Sequence, residues 1–283
     1  MRLTASTGGP SGPPRPRSWA RGILSVIAVA SVVVLAACAP GTPGAPGTPD
    51  ETAETSAPLT QAQAERLAVA RFTNFDDGVR SFTITIPSGV AAAPDAGGVT
   101  TGSDGLELRG WIDFATQIGY AAVEQNGASI GLVQFTPQTI AVRETPTDGA
   151  PLPIPADGWQ QASLDTTAST LTAALGILLD LGSDRPENPQ LLRQSDAAWL
   201  RSDTVGSGST AVDVDVFAGP SASSDDGSSQ APTPLSERSR YSVGDDGELW
   251  RFEARLGGAS EWTTIDFGDA DGVTLGESLV GVQ

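Results

Sequence analysis

The side chains that could support catalysis are few in kind. The 283 residues contain no histidine and a single cysteine, Cys38, whereas aspartate and glutamate together number 34. Without imidazole or a second thiol, the sequence excludes histidine-assisted serine or cysteine catalysis and the usual zinc sites. Two kinds of chemistry remain: modification of the Cys38 thiol itself, and acid–base catalysis by a pair of carboxylates.

Adjacent carboxylates are present but are weak evidence for a catalytic pair. They occur at Asp76 and Asp77, at Asp213 and Asp215, and at Asp245 and Asp246. With 34 acidic residues such neighbours arise by chance, and these lie in turns or on the polar faces of strands. A carboxylate-pair hydrolase needs two carboxyl groups that face each other across a cleft. We therefore expect a protein that is not an enzyme and has neither a metal site nor a cofactor.

The residues before Cys38 have the organisation of a signal peptide. Four arginines and no acidic residue precede a run of 13 mostly apolar residues, 23–35. A helix that spans a bilayer needs about 20 apolar residues, so this run is too short for a membrane span. Small residues at positions 36 and 37 suit a peptidase site. We expect residues 1–37 to be removed as a signal peptide.

The four residues Leu-Ala-Ala-Cys, ending at Cys38, resemble the bacterial lipobox. The resemblance implies transfer of a diacylglyceryl group to the thiol, cleavage before Cys38, and acylation of the new terminus by a palmitate-type chain. Two or three acyl chains give stable anchoring, whereas one gives only marginal membrane binding. We expect a lipoprotein anchored to the outer face of the cell membrane. The alternative is an ordinary secretory signal followed by an incidental cysteine.

The charge balance excludes two classes of partner. All 16 basic residues are arginines and four of them precede Cys38, which leaves 12 arginines against 34 acidic residues and a net charge of −22. Such a surface repels nucleic acid, whose binding depends on neutralising phosphates. It also repels anionic lipid headgroups. We therefore expect the acyl chains on Cys38, and no basic surface, to hold the protein at the membrane.

Residues 38–60 predict a disordered tether. They are rich in proline, glycine and threonine, and no apolar side chain larger than alanine, proline aside, precedes Leu59. Such a segment buries too little surface to offset its chain entropy. By the usual scaling of linkers it can span several nanometres.

Residues 61–283 are long enough for a single domain with a sizeable core. Thr60 is placed to cap a helix that ends at Gly78, and Asn126-Gly127 predicts a two-residue hairpin turn. Alternation of apolar and polar residues predicts strands throughout the rest. The predicted strands cover residues 81–86, 106–114, 118–124, 129–135, 139–143, 199–205, 212–216, 241–243, 249–256 and 262–267.

Two helices and two irregular segments interrupt these strands. Apolar residues at helical spacing before Gly182 predict a helix over residues 167–181, and Asn188 and Pro189 begin a short helix that ends at Gln194. Residues 145–158, rich in proline and glycine, predict a loop that leads to Trp159. Residues 219–236, mostly serine, aspartate, glycine and proline, predict a mobile insertion.

This order of elements resembles the LppX/LprG-type lipoproteins of the actinobacterial cell envelope, which share the LolA-like half-barrel. The resemblance is carried by residues 106–114 with 119–124, by residues 176–181, and by the closing strands at residues 241–243, 249–255 and 263–267. It implies an α+β fold: a strongly curved antiparallel sheet with an N-terminal helix and an inserted helix pair. Residues 219–236 depart from the family pattern.

The resemblance further implies that the sheet and its helices enclose an apolar cavity for acyl chains, and hence a lipid or lipoglycan ligand. A half-open barrel with one apolar face has room for such a ligand. The candidate lining residues are Phe82, Ile84, Leu106, Leu108, Ile112, Phe114, Leu175 and Leu178. In the alternative interpretation these side chains fill an ordinary core.

Two functions without a cavity therefore stay open. One is an envelope scaffold or adhesion module whose tryptophans stack on cell-wall sugars, and the other is regulation of a membrane partner through the acidic surface.

Overall fold

In the described part of the chain, one antiparallel sheet of twelve strands dominates, with three α-helices. The computed structural model describes residues 56–88, 105–221 and 233–276. The strands are β1 (Ala57–Pro58), β2 (Val79–Ile86), β3 (Leu106–Asp113), β4 (Ile118–Gln125), β5 (Ala128–Phe135), β6 (Thr139–Arg143), β7 (Gln160–Ser163), β8 (Ala198–Val205), β9 (Val212–Ala218), β10 (Arg240–Val243), β11 (Leu249–Ala254) and β12 (Thr263–Gly268). The helices are α1 (Gln61–Asp77), α2 (Thr170–Asp180) and α3 (Pro189–Gln194).

The sheet is curved and unclosed, with the order β1-β8-β9-β10-β11-β12-β2-β3-β4-β5-β6-β7. Strands that are neighbours in the sheet are also consecutive in the chain, except where β1 pairs with β8 and β12 pairs with β2. Two meanders, β2 to β7 and β8 to β12, are therefore joined through β2. This central strand places Ile84 opposite Leu108 on one side and opposite Ile265 on the other.

Helix α1 begins and ends where its local sequence requires. The Thr60 side chain accepts a hydrogen bond from the backbone N–H of Gln63, whose side chain accepts one from the N–H of Thr60, which completes a capping box. Gly78 ends the helix at a φ of 73°, a conformation that favours glycine. The buried face of the helix, including Ala64, Leu67 and Ala68, packs on the sheet.

Helices α2 and α3 also start at polar caps. Ser169 caps α2 through the N–H of Thr172, and Asn188 caps α3 through the N–H of Gln190. The helix predicted over residues 167–181 is therefore too long at its start. The structure begins the helix at Thr170, because the Ser169 side chain accepts a hydrogen bond from the N–H of Thr172 and so caps it. Leu171, Leu175 and Leu178 are among the α2 residues buried against the sheet.

The two faces of the sheet have different cores. The face covered by α1 and α2, called the inner face here, carries the largest cluster of buried apolar side chains. On the opposite, outer face, one cluster surrounds Tyr120 and Leu132, and another surrounds Val214 and Val216. All described residues belong to one compact unit, Glu51–Gln283, so a chain that starts at Glu51 keeps every contact of these clusters.

The meander predicted over residues 106–143 is confirmed as β3 to β6, and Asn126-Gly127 forms its turn with positive φ at both positions. Two short strands were missed by the sequence analysis. Ala57–Pro58, predicted to belong to the tether, pairs with β8, and Gln160–Ser163 pairs with β6 at the far edge. Neither contains enough alternating apolar residues to be recognised from the sequence.

Candidate functional site

The predicted lipidation site and part of the predicted insertion lie outside the described residues. Cys38 belongs to the segment before residue 56, so its acylation stays a prediction. The same holds for residues 222–232 of the predicted mobile insertion. The described start of that insertion is bonded to the domain, since the N–H and hydroxyl of Ser221 both donate to the carboxylate of Asp196.

The eight candidate lining residues come together on the inner face. The sheet residues Phe82, Ile84, Leu106, Leu108 and Ile112 lie on β2 and β3, and cross-strand pairing aligns them. Phe114 directly follows β3, and Leu175 and Leu178 lie on the buried side of α2. All eight belong to one buried cluster, and none is more than 4% exposed. Strand and helix periodicity therefore identified a common surface.

Small residues on the inner face bring aromatic rings close to the backbone. A Cβ atom at Gly119 would lie 2.0 Å from Cζ of Phe135, its partner across the β4–β5 pair. The Phe135 ring is fully buried and meets Phe82 edge-on, with ring centroids 6.3 Å apart. Phe135 therefore occupies the space that the missing side chain of Gly119 leaves. The alternation in residues 129–135 could have identified Phe135 as a further lining residue.

The end of α2 lies close to the sheet. A Cβ atom at Gly182 would come within 2.6 Å of the Phe114 ring, so the close approach depends on this glycine. At the other end of the inner face, Tyr241 meets Phe252 edge-on at 5.0 Å. The apolar surface thus continues beyond the predicted lining residues into the second meander.

One polar cluster lies where α1 meets β9. Asp215 accepts hydrogen bonds from Trp199 Nε1 at 3.0 Å and Ser202 Oγ at 2.8 Å, and pairs with Arg66 at 2.5 Å. A second nitrogen of Arg66 contacts Asp245 at 2.6 Å. Burial alone would raise the pKa of Asp215, but the hydrogen bonds from these three side chains and the charge of Arg66 hold that pKa below its ordinary value.

A second polar cluster is centred on the buried Arg80. Its guanidinium group donates to Asn74 Oδ1 at 2.8 Å and to the Leu249 carbonyl at 3.1 Å, and it pairs with Glu248 at 2.6 Å. Burial lowers the pKa of Arg80. Burial also raises the pKa values of Glu248 and Asp77, although the charge of Arg80 opposes both shifts.

Both clusters line open clefts in the sheet. In the cleft beside Arg66, of about 530 Å³, the pKa values of Asp203 and Asp215 are both lowered, which is opposite to what a general acid requires. In the cleft of about 480 Å³ beside Arg80, Glu248 is held in an ion pair. Within residues 56–88, 105–221 and 233–276, no group of three His, Cys, Asp or Glu side chains could hold a metal ion.

Two further clefts contact the candidate lining residues at Leu106 alone. One, of about 490 Å³, lies at the ends of β2 and β3, where Leu106 and Ile86 meet polar residues that include Asn126 and Glu261. The other, of about 590 Å³, lies between Val205, Trp250 and Phe267. Of the eight candidates, only Leu106 lines any of these four clefts.

The tryptophans after Cys38 are all partly buried. They lie at positions 111, 159, 199, 250 and 262. Trp111 stacks on Tyr120, and Trp159 meets the same ring edge-on while its Nε1 donates to the Pro155 carbonyl. Burial raises the pKa of Tyr120 to about 12. Four of the five tryptophans thus pack against apolar clusters. Arg240 and Arg255 lie over the ring of Trp262, and Arg80 lies over that of Trp250.

No protein-family model matches this sequence, and a search of curated proteins finds no match. None of the helices in the described part of the chain is long and apolar enough to cross a membrane.

Proposed function

We propose that the protein is an extracytoplasmic lipoprotein, anchored through Cys38, that binds or carries a lipid or lipoglycan on the inner face of its sheet. The observation that carries the proposal is the curved, unclosed sheet, whose continuous apolar face is covered by short helices. A sheet of this shape can admit an acyl chain between strands and helix, beside the apolar side chains of this face. The LolA-like identity of the half-barrel belongs to the same proposal.

Helix α2 is the element that would have to move. It has eleven residues and contributes five buried side chains to the inner-face cluster, including Leu175 and Leu178. A small displacement of so short a helix would expose the strand surface at Ile84 and Leu108. The ligand would then replace helix–sheet contacts with contacts of the same apolar kind.

Anchoring is tested by the variant Cys38→Ala. Because the thiol is the only attachment point for a diacylglyceryl group, we expect the variant to leave the membrane fraction and appear in the soluble fraction. Fractionation followed by immunoblotting measures this directly. A variant that stays in the membrane fraction would refute the anchor, and metabolic labelling with a palmitate analogue separates acylation from adhesion.

Ligand binding is tested at the contact between α2 and the sheet. With residues 51–283 and a fluorescent acyl probe, we expect the unmodified domain to bind the probe and Leu178→Trp to bind it at least tenfold more weakly, because the larger ring fills the space beneath α2. Leu191→Trp is the matched control, since Leu191 on α3 is 63% exposed. Circular dichroism verifies folding, and Ile84→Phe replaces Leu178→Trp if that variant unfolds.

A second candidate function is a scaffold or adhesion module without a ligand cavity. The observation that favours it is the near-complete burial of all eight candidate side chains in one cluster. A filled core of this kind stabilises the fold and has no space for a ligand. Retention of the domain by peptidoglycan or arabinogalactan, together with no binding of the acyl probe, would establish this function in place of the carrier.

A further inference from the structure

One hydroxyl group lies on the inner face of the sheet with no partner in the fold. Thr263 begins β12 and is 2% exposed. It alternates in step with Ile265 and Phe267, which belong to the inner-face cluster, so its side chain points to that face. Within the described part of the chain, the buried Oγ1 atom of Thr263 has no hydrogen-bond partner. The inner face therefore contains a buried donor that none of these residues satisfies.

The strand residues next to this hydroxyl are apolar. Ala254 on β11 lies directly opposite Thr263, and the register that pairs Thr264 with Thr85 brings Thr263 beside Ile86 on β2. Ile86 belongs to the inner-face cluster, and Ala254 packs against it. A buried hydroxyl without a hydrogen bond keeps the full cost of its desolvation. Thr263 therefore destabilises the domain relative to an apolar side chain of the same shape.

Packing and strand formation do not require threonine at this position. Valine has the same branched shape and a similar preference for strands, and it has no polar atom to desolvate. It would therefore suit this apolar surface better than Thr263 does. An unsatisfied polar group in the interior of a protein needs an explanation, and a ligand that supplies the missing acceptor is one.

The hydroxyl also lies near an opening of the inner face. The cleft of about 490 Å³ at the ends of β2 and β3 is lined by Ile86 and Leu106, and by Glu261, two residues before Thr263. Ile86 thus lies beside both the cleft and Thr263. A lipid that enters here would place its chain along β2 towards Ile84 and leave its headgroup in the cleft. The junction between chain and headgroup would then lie at Thr263.

We propose that the Thr263 hydroxyl donates a hydrogen bond to the carbonyl oxygen that joins an acyl chain of the ligand to its headgroup. The inference rests on the proposed carrier function and specifies the class of ligand, which is a lipid with ester-linked chains in preference to one with ether-linked chains. The carbonyl is the acceptor that such a lipid presents at the junction of chain and headgroup. In apolar surroundings this hydrogen bond is stronger than in water. Thr263 is thus a specificity-determining residue.

The test compares two probes that differ only in this carbonyl group. One is a diacylglycerol with one pyrene-labelled chain, and the other is its dialkyl ether analogue with chains of the same length. Both are titrated by fluorescence against residues 51–283, as the unmodified domain and as Thr263→Val and Thr263→Ser. The matched control is Thr264→Val, the same change at the next residue of β12, whose side chain lies on the outer face.

We expect the unmodified domain to bind the ester probe about fivefold more tightly than the ether probe, the effect of one net hydrogen bond. Thr263→Val should bind the ester probe about fivefold more weakly and the ether probe equally well, so that the preference disappears. Thr263→Ser keeps the hydroxyl and should retain most of the preference, and Thr264→Val should retain all of it.

The free domain provides a second readout. Without a ligand, Thr263→Val should unfold at a higher urea concentration than the unmodified domain, because the change removes an unpaired buried hydroxyl. A residue with a merely structural role would not combine higher stability with a loss of ester preference. Circular dichroism verifies folding, and Thr263→Ala replaces Thr263→Val if that variant unfolds.

The outcomes separate this inference from the carrier proposal. Equal affinities of the unmodified domain for the two probes would overturn the inference and leave the carrier proposal intact. An ester preference that persists in Thr263→Val would do the same, because the hydroxyl would then not be the donor. Failure of both probes to bind would overturn the carrier proposal and this inference with it.

Discussion

Asp215 shows how one carboxylate joins three parts of the fold. Its bonds to Arg66, Trp199 and Ser202 connect α1 with β8 and β9. The depressed pKa means that the folded state favours the ionised form, so Asp215 stabilises the fold above its unfolded pKa of about 3.9. This contribution is lost as the pH falls through the folded pKa.

Asp215→Asn should therefore destabilise the domain at neutral pH. Hydrogen bonds to charged groups contribute about 1.5–3 kcal/mol each, and the amide keeps part of them, so we expect a loss of about 2 kcal/mol at pH 7 that decreases as the pH falls below about 3.9. Urea unfolding of both proteins between pH 7 and pH 2 measures the difference. The control is Asp213→Asn, an exposed position on the same strand, which should change stability by less than about 0.5 kcal/mol. An Asp215 effect that stays constant over this range would contradict the role of the charge.

Arg80 is a buried charge that the sequence pattern did not identify, since the predicted strand began at residue 81. The strand begins at Val79, and Arg80 lies on the inner face with Phe82 and Ile84. Burial is tolerated because Asn74, Glu248 and a carbonyl satisfy the guanidinium group. Those partners are 6, 168 and 169 residues away in sequence, and no local signal identifies them.

Among the elements, β4 depends on its small residues. Gly119 and Ala121 leave space above the inner face of this strand because they have little or no side chain. The Phe135 ring from β5 lies over Gly119. A side chain at position 119 would collide with a ring that is itself fully buried. The pairing of β4 with β5 therefore determines where the aromatic layer lies.

Gly119→Ala should destabilise the domain by about 2 kcal/mol, because overpacking a close contact costs about 1–3 kcal/mol. Combining it with Phe135→Leu, which removes the colliding atoms, should cost less than the two single changes added together. Denaturant unfolding of the four proteins forms a double-mutant cycle. Gly276→Ala is the control, since nothing lies within 4 Å of a Cβ atom there. Additive effects in the cycle would contradict direct contact as the cause.

Most of the long helices and strands could be predicted because their boundaries are set by residues close by in the sequence. Thr60 and Gly78 delimit α1, Asn126-Gly127 joins β4 to β5, and alternation marks the strands between them. Strand β7 could not be predicted because its residues, Gln-Gln-Ala-Ser, contain one apolar side chain. The pairing of β12 with β2 joins residues more than 170 apart, and alternation does not specify which strands pair. Alternation predicts which side chains lie on the inner face. It reports burial alone, and a filled core and a ligand cavity have the same pattern.

For the whole molecule, the acidic surface and the proposed anchor would act together. A net charge of −22 from Cys38 onward opposes binding to anionic membranes, while acyl chains on Cys38 would hold the chain within reach of one. The carrier proposal thus combines the anchor with the curved apolar sheet.

Native mass spectrometry of residues 51–283, exported in an actinobacterial host and purified without detergent, tests this central claim most directly. The carrier proposal predicts a discrete added mass that organic solvent extracts and that fragmentation identifies as a lipid or lipoglycan. It also predicts that the Leu178→Trp domain from the same host lacks this mass. A domain that repeatedly shows only the mass of its own chain, while remaining folded, would contradict the carrier proposal.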